Sequence, residues 1–408
     1  MHTGSSSGTF SDNAVVIAAR RTPIGRAGGA LKGVPAQDLA APVLRTLLAD
    51  AGGTVGLGGL HPADVVLGNA TGGGGNIARL AALTAGLDAA IPGLSVDRQC
   101  GSGLEAVNLA ARLVGSGAGE LYLAGGVESI STAPARAHRL PDGSLDFFDR
   151  ARFSPDELGD PDMGVAAENV AAHYGITRGR QDAFALRSHT LALRSAAAGA
   201  FDAELVPVAG LAADQGPRAS VTAALLARFP AAFVPGGTVT AGNSCPYSDG
   251  AAAVVVTTEA RARELGATGW LRFVDSTVNG NEPTLTGAGA AHSTRALLGR
   301  PAVLAALGAQ APVGAASLLD GVELMEFNEA FAAQVLAVAD ELGIDPERLN
   351  RQGGALALGH PYGASGAVSV VRLFAQARAR NVDGDLALAM ISIAGGMGIS
   401  TLFRWERA

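Results

Sequence analysis

The 408 residues are 48% hydrophobic and only 16% charged, which is enough apolar content to bury more than one core and suits two or three domains or one duplicated domain. A net charge of −7 without any basic run argues against a nucleic-acid surface, and no apolar stretch of about 18 residues stands out as a membrane span. Lys32 is the only lysine, and neither the two cysteines, Cys100 and Cys245, nor the seven histidines show a disulfide framework or metal-ligand spacing; Schiff-base chemistry, a P-loop lysine and a bound metal are all disfavoured.

Met1 to Ser11 has neither the basic nor the apolar segment of a secretion signal, so a mobile tail on a cytoplasmic protein is expected. The run AVVIAAR from Ala14 reads as a buried strand, Gln37 to Gly52 as a helix ended by glycines, and Ala63 to Ala70 as a second strand. Four consecutive glycines then fall within Thr71 to Arg79. This run lacks both GxGxxG spacing and a Lys-Ser/Thr ending, so it reads as a loop or subunit contact rather than a phosphate cradle.

In VDRQCGSGLEAVNLAARLV, Val96 to Val114, apolar residues recur at Leu104, Val107, Ala111 and Val114, the buried stripe of a helix. Cys100 therefore stands at or just before a helix N-terminus, with Gly101 and Gly103 bracketing Ser102 in a tight turn whose amides face a ligand. Unpaired N–H groups and the macrodipole favour a thiolate there, so the spacing predicts a pKa below the usual value of about 8.5. Leu121 to Ser129 reads as a third strand, and continuous apolar runs separated by helices indicate a parallel sheet covered on both faces.

Between about Ser131 and Gly237 arginine and phenylalanine become frequent, which marks an inserted, largely helical subdomain with a small local core of phenylalanines. Strands resume at Ala251 to Glu259 and Trp270 to Val278. Three later stretches then answer three earlier ones at offsets near 260: Val322 to Ala330 answers Ala63 to Ala70, Gly363 to Phe374 answers the Cys100 helix, and Leu386 to Gly398 answers Leu121 to Ser129. The order indicates duplication into two similar α/β halves.

A nucleophilic thiol needs a proton acceptor, and its acyl product needs oxyanion donors. His360 lies between a glycine-rich strand and a Pro-Tyr-Gly turn in GGALALGHPYGASG; Asn328 and Glu329 leave the end of an apolar strand in MEFNEAFA; Ser392 precedes a glycine turn in ISIAGGMG. Helix-end, cap and turn roles are equally open to these residues from the sequence.

The stretches AARRTPIGRAGGAL, VDRQCGSGLEAV, MGVAAENVAAHYGITRGRQDAFALRS, GTVTAGNSCPYSDGAAA, FNEAFAAQ and GGALALGHPYGASG, in this order, resemble the thiolase family, the acyl-CoA C-acetyltransferases, over nearly the whole chain from Ala14. The resemblance implies a thiolase fold: two duplicated βαβαβαββ halves in a layered α-β-α-β-α arrangement, with an inserted loop subdomain. The corresponding division is a tail at 1–11, a first half at 12–130, a coenzyme A-covering insert at 131–239, completion of the first half at 240–282 and a second half at 283–408.

By the same resemblance Cys100 is the acylated nucleophile and His360 takes its proton. His360 forms an oxyanion hole with Asn328, which holds a water, and the amides of Cys100 and Ala394 form a second hole. Arg218 falls near the coenzyme's phosphate end, Ser244 and Cys245 beside the pantetheine chain, and Met163 against the acyl pocket. A coenzyme A thioester is the implied substrate, with no tightly bound cofactor or metal, and homodimer or homotetramer assembly is implied.

The chain departs from the family pattern in two places. Ser392 and Ala394 stand where the family has the cysteine and glycine of a Cys-x-Gly turn, and Asp162 precedes Met163 where many biosynthetic members carry histidine. Ala394 still supplies an N–H, but Ser392 removes the family's acid/base for the α-carbon. The expected function is acyl transfer from acyl-CoA through Cys100 to a second acceptor, forming a carbon–carbon bond or running the reverse thiolysis. Decarboxylative ketoacyl synthesis, transfer to a non-carbon acceptor, and non-catalytic acyl-CoA binding by a partner subunit are the alternatives.

Overall fold

The computed structural model describes residues 14–52, 60–309 and 314–408, so the expected mobile tail lies outside the described residues. The first half runs β1 (Ala14–Arg21), β2 (Gly25–Arg26), α1 (Ala36–Gly52), β3 (Asp64–Gly68), α2 (Ile77–Thr84), β4 (Gly93–Val96), α3 (Ser102–Gly115) and β5 (Leu121–Ser129). The inserted stretch holds a hairpin, β6 (Arg136–Arg139) with β7 (Leu145–Phe148), and helices α4 (Met163–His173), α5 (Arg178–Ala197) and α6 (Ala223–Leu226). Then follow β8 (Ser248–Thr258), α7 (Glu259–Glu264), β9 (Gly269–Gly280), α8 (Gly289–Leu298), α9 (Pro301–Ala306) and α10 (Ala315–Leu319). The chain ends with β10 (Leu324–Phe327), α11 (Ala332–Leu342), α12 (Ala355–Leu358), α13 (Tyr362–Arg380), β11 (Leu386–Ile393) and β12 (Met397–Arg407).

The duplication is visible in the pairing. The hydrogen-bonded path is β10-β11-β12-β9-β1-β8-β5-β3-β4, with β2 attached to β8. Outward from the β1–β9 junction, the first half reads β1, β8, β5, β3, β4, and the second reads β9, β12, β11, β10, with a short extended segment at Leu349 pairing in parallel with Met325 in the place of β4. Within the sheet the halves join at β1 and β9, where Val15 lies opposite Arg272 and Val16 opposite Leu271. β9, expected to complete the first half, pairs instead with β12 from Gly269 to Gly280 and is the first strand of the second half.

Because both sheet faces are buried, alternate residues of one strand serve different cores. In β3, Val65 and Leu67 pack with Leu39, Leu44 and Leu47 of α1, whereas Val66 faces a central core with Leu104 and Val107 of α3 and Val370 and Leu373 of α13. In β10, Met325 and Phe327 pack with Leu297 of α8 and Val335 and Val338 of α11, while Leu324 joins the central core. These three cores give the layered α-β-α-β-α arrangement, with α3 and α13 shared between the sheets.

The glycine turn expected after Ser392 is formed by Gly395 and Gly396, whose positive φ values of 84° and 77° turn β11 back into β12. Two local expectations need correction. The glycine-rich stretch before His360 is the short helix α12, closed by Gly359 at φ 116°. The insert's phenylalanines form no single local core: Phe184 joins the second half's outer core, Phe201 lies in a small cluster with Ile24 and Leu358, and Phe147 and Phe233 are exposed. Among the described residues no helix is long and apolar enough to cross a membrane.

The first turns of α3 and α13 meet without room for a side chain. A Cβ on Gly103 would stand 2.8 Å from the Gly363 carbonyl oxygen and 2.9 Å from the Ala367 nitrogen, both backbone atoms. Gly103→Ala should therefore destabilise the protein by about 1–3 kcal/mol, the usual cost of overpacking, and lower its thermal midpoint. Gly33→Ala, where the added atom meets nothing within 4 Å, should leave the midpoint unchanged. Equal midpoints for the two variants would contradict the tight crossing.

Candidate active site

Cys100 sits on a turn between β4 and α3 that is fastened at several points. The Asp97 carboxylate accepts the Gln99 amide at 2.8 Å, Ser102 Oγ accepts the Arg98 amide at 2.8 Å, and the Ser102 hydroxyl donates to the Gln99 carbonyl at 2.6 Å. Gln99 is left-handed at φ 48°, a conformation that costs a non-glycine residue about 1–3 kcal/mol and persists because its surroundings fix it. The two glycines were expected to permit the turn, yet the left-handed residue is Gln99. Gly101 is needed for a different reason, since a Cβ there would lie 2.4 Å from Ile393 Cδ1 of the other half.

The Ala394 amide lies near enough to Cys100 sulfur to favour the thiolate, as does the Cys100 amide. Burial outweighs them. Together with the Glu128 and Asp97 carboxylates it pushes the Cys100 thiol up to about 12, the reverse of the lowering expected from the helix terminus. The helix terminus is real, but the cost of a desolvated charge exceeds what these amides return. Cys100 thus rests as a thiol and needs a base at the moment of attack.

His360 is fully buried and pushed down to about 3 by that burial, so the imidazole is neutral. Its backbone amide donates to Ser248 Oγ at 3.2 Å, and its Nδ1 lies 2.6 Å from Ser365 Oγ. Nε2 is buried without a protein partner, as is Nδ2 of Asn328, whose backbone is tied to the end of β11 through the Met390 carbonyl. Buried polar atoms are normally satisfied, so two orphaned nitrogens on the residues expected to form one oxyanion hole point to a ligand or water. The Tyr362 ring stands edge-on to the imidazole at 5.1 Å, and its phenol is pushed up by burial and by the charges of Tyr247, Cys245 and Cys100, so these groups share one neighbourhood.

The remaining expected residues divide. Cys245 lies close enough for Cys100 to raise its thiol further, after burial as the main cause, and its amide donates to the Ala330 carbonyl at 2.9 Å. Ser244 directs its hydroxyl to the Thr240 carbonyl at 2.7 Å, which leaves it no free donor proton. Met163 is half-buried at the start of α4, and Arg218 is exposed, its backbone amide donating to His189 Nδ1. Ser392 donates to the Gly287 carbonyl at 2.7 Å and accepts the Ala290 amide at 3.0 Å, so both sides of its hydroxyl serve the first turn of α8.

Three buried carboxylates support the site, and sequence reasoning overlooked two of them, Glu128 and Glu326. Glu128 accepts from Asn69 Nδ2, the amides of Ala70 and Thr71, the Thr71 hydroxyl and the Gly363 amide, tying the end of β5 to the loop after His360. Glu329, noted only as a strand-end group, accepts from Ser188 of α5, Asn350 and the Leu356 amide, which fixes the Asn328 turn. Glu326 is buried within β10. A lone acid within an otherwise apolar strand was the available signal for Glu128 and Glu326. Among the described residues no group of three or more His, Cys, Asp or Glu is arranged to hold a metal ion.

Residues 14–260 match the family model described as Thiolase, N-terminal domain, and residues 287–405 match Thiolase, C-terminal domain. The chain is 43% identical over 393 residues to a provisionally named acetyl-CoA C-acetyltransferase of Bacillus subtilis strain 168, YhfS, covering 96% of this chain and 99% of that one. It is 40% identical over 400 residues to the similarly named VraB of Staphylococcus aureus strain MRSA252, covering 96% and 99%. The crystal structure of the Bacillus anthracis acetyl-CoA acetyltransferase superposes with a TM-score of 0.83 at 34% identity, covering 96% of this chain and 98% of that one.

The raised thiol gives a direct expectation for the free protein. Thiolate absorbance, taken as the difference between wild type and Cys100→Ser, should appear with a midpoint above about 8.5, the ordinary cysteine value. A midpoint below it would restore the activated-thiolate reading.

Proposed function

This chain belongs to the thiolase family and is an acyl-CoA C-acyltransferase, and from that premise we propose that Cys100 carries the acyl group between an acyl-CoA and a second acceptor. Cys100 sulfur attacks the thioester carbonyl as its proton leaves toward His360 Nε2. The tetrahedral oxyanion is met by the amides of Cys100 and Ala394. The carbon–sulfur bond to coenzyme A then breaks, and the departing thiolate takes the proton back from His360 Nε2. In the second half-reaction the acceptor's carbonyl oxygen faces a water on Asn328 and His360, which donates to it once the neutral imidazole has returned to its Nε2–H tautomer. The observation that carries this reading is the Ala394 amide aimed at Cys100 sulfur from the opposite half, beside the unpartnered nitrogens of His360 and Asn328.

Intact-mass measurement after incubation with acyl-CoAs tests it. Wild type should gain one acyl group that maps to Cys100, and Cys100→Ala should gain none. Binding of acyl-CoA without any adduct would favour the non-catalytic partner-subunit reading instead.

The geometry of Ser392 favours an acceptor that needs no α-proton removed by a side chain. An alkoxide is scarcely available near neutral pH, and this hydroxyl is already shared between Gly287 and Ala290. A carbanion formed by decarboxylation of a malonyl-type thioester, or a non-carbon nucleophile, meets that condition. Acetoacetyl-CoA formation and thiolysis should then be slow while Cys100 acylates normally, and Ser392→Cys should raise them by at least about ten-fold. If the natural protein condenses acetyl-CoA at a rate that Ser392→Cys does not improve, and malonyl-CoA is no better, the serine has been misread.

A further inference from the structure

The helix that begins just after His360 carries a second polar stripe into the core. Ser365, Ser369, Arg372 and Gln376 recur at spacings of four, three and four along α13, one face of the helix, and all four are buried. They face β10, where the period of two places Leu324, Glu326 and Asn328 on the α13 side while Met325 and Phe327 face outward. Glu326 Oε1 accepts from Gln376 Nε2 at 2.7 Å.

Between helix and strand lies a cavity of about 20 Å³ whose polar lining is Glu326, Asn328, Ser365, Ser369 and Arg372. A single water needs roughly 10–15 Å³ and two to four polar partners, and this cavity offers both. Arg372 and Asn328 both line it, and Arg372 Nε is buried without a hydrogen-bond partner. Ser365 Oγ reaches out of the same cavity to His360 Nδ1 at 2.6 Å.

We infer that this seam is a proton relay in which Ser365 and one cavity water connect His360 to the Glu326 carboxylate, both residues acting on the reaction through His360. The transfer balances as one proton moved. Cys100 S–H gives its proton to Nε2 as Nδ1–H passes its own to Ser365 Oγ, the Ser365 proton goes to the water, and a water proton goes to Glu326. Cys100 is left as thiolate, Glu326 as neutral acid, and His360 as the other neutral tautomer, now carrying the Nε2–H that an oxyanion hole requires. Leaving the chain in reverse, the same proton serves the departing thiolate.

Two electrostatic facts agree with this wiring. Burial holds His360 at about 3, so a charged imidazolium is a poor resting place for the proton. Burial pushes Glu326 up to about 7; Arg372 and Gln376 oppose this, and Glu329 and Glu204 add to it. Arg372 in turn is held by Glu204 at 2.9 Å and by Gln352 at 2.7 Å, and Glu204 also pairs with Arg21. Glu326 accepts a proton only when ionised, so the relay is lost as pH falls through about 7 and present above it.

The inference rests on the proposed role of Cys100, but its test removes the same thiol proton without any acyl-CoA, so the two ideas fail separately. Carbamidomethylation of Cys100 by iodoacetamide is followed over pH 5.5–10 by peptide mass. Wild type should show a rise with a midpoint near 7 ahead of the thiol's own titration at high pH. Glu326→Gln and Ser365→Ala should each lose the first rise and react at least ten-fold more slowly at pH 8, Ser365→Thr should keep it, and the double variant should be no slower than the slower single. A folded Glu326→Gln that keeps the wild-type midpoint, or losses that multiply in the double variant, overturns the relay. Should Glu326→Gln fail to fold, a Ser365→Ala variant that keeps the wild-type midpoint overturns it equally.

Discussion

The crossing of α3 and α13 between the two sheets is the constraint on which the rest depends. Each helix begins two residues after a candidate site residue, Cys100 on one half and His360 on the other, and their first turns are in backbone contact through Gly103, Gly363 and Gly366. A Cβ on Gly366 would stand 2.5 Å from the Leu104 amide, and one on Gly126 would stand 2.0 Å from the Gly363 carbonyl. Side chains at these positions would push the two loops apart, so the glycines set the closeness at which chemistry becomes possible. Glu128 then locks the orientation, because its carboxylate binds the end of its own half and the Gly363 amide of the other.

The same burial that makes the crossing precise decides the electrostatics. A desolvated site disfavours charge on either partner, raising Cys100 and lowering His360, so the resting pair is thiol and neutral imidazole rather than thiolate and imidazolium. The helix terminus and the Ala394 amide therefore do not create the nucleophile in advance. On the proposed mechanism they stabilise the charge that develops on sulfur and on the thioester oxygen, where donors fixed in a low-dielectric site act most strongly. What remains is a route for the proton, and the polar stripe of α13 against Glu326 is the continuous set of buried groups that begins at His360.

Much of this was legible in the chain. The offsets near 260 that paired Ala63–Ala70 with Val322–Ala330 correspond to β3 and β10, which hold equivalent places in the two halves' strand order. Continuous apolar runs identified strands covered on both faces, and the stretches around Cys100, His360 and Asn328 could be singled out from their spacing. What periodicity could not supply was the meaning of single positions that depend on the other half. Gly101 and Gly103 looked like turn formers because the sequence does not show Ile393 or Gly363 pressing on them. Gln99, the residue actually left-handed, carries no such signal. The membership of β9 was likewise invisible, since an apolar strand does not announce its partner, and its pairing with β12 is set by long-range register. The sign of the Cys100 shift failed for a related reason, because a helix terminus can be read locally and burial cannot.

The Ser392 hydroxyl is built into the scaffold on both sides. It bridges the Gly287 carbonyl and the Ala290 amide, and so satisfies one of the donors that the first turn of α8 would otherwise leave open. A thiol is a weaker donor and acceptor and would make both bonds poorly, so the serine anchors β11 to the start of α8. That anchoring also holds the strand just before Ile393 and Ala394, and Ala394 presents the amide to Cys100. On the proposed reading, that anchor holds the Ala394 donor in place and leaves the Ser392 hydroxyl no freedom to take an α-proton, which suits an acceptor that arrives already activated.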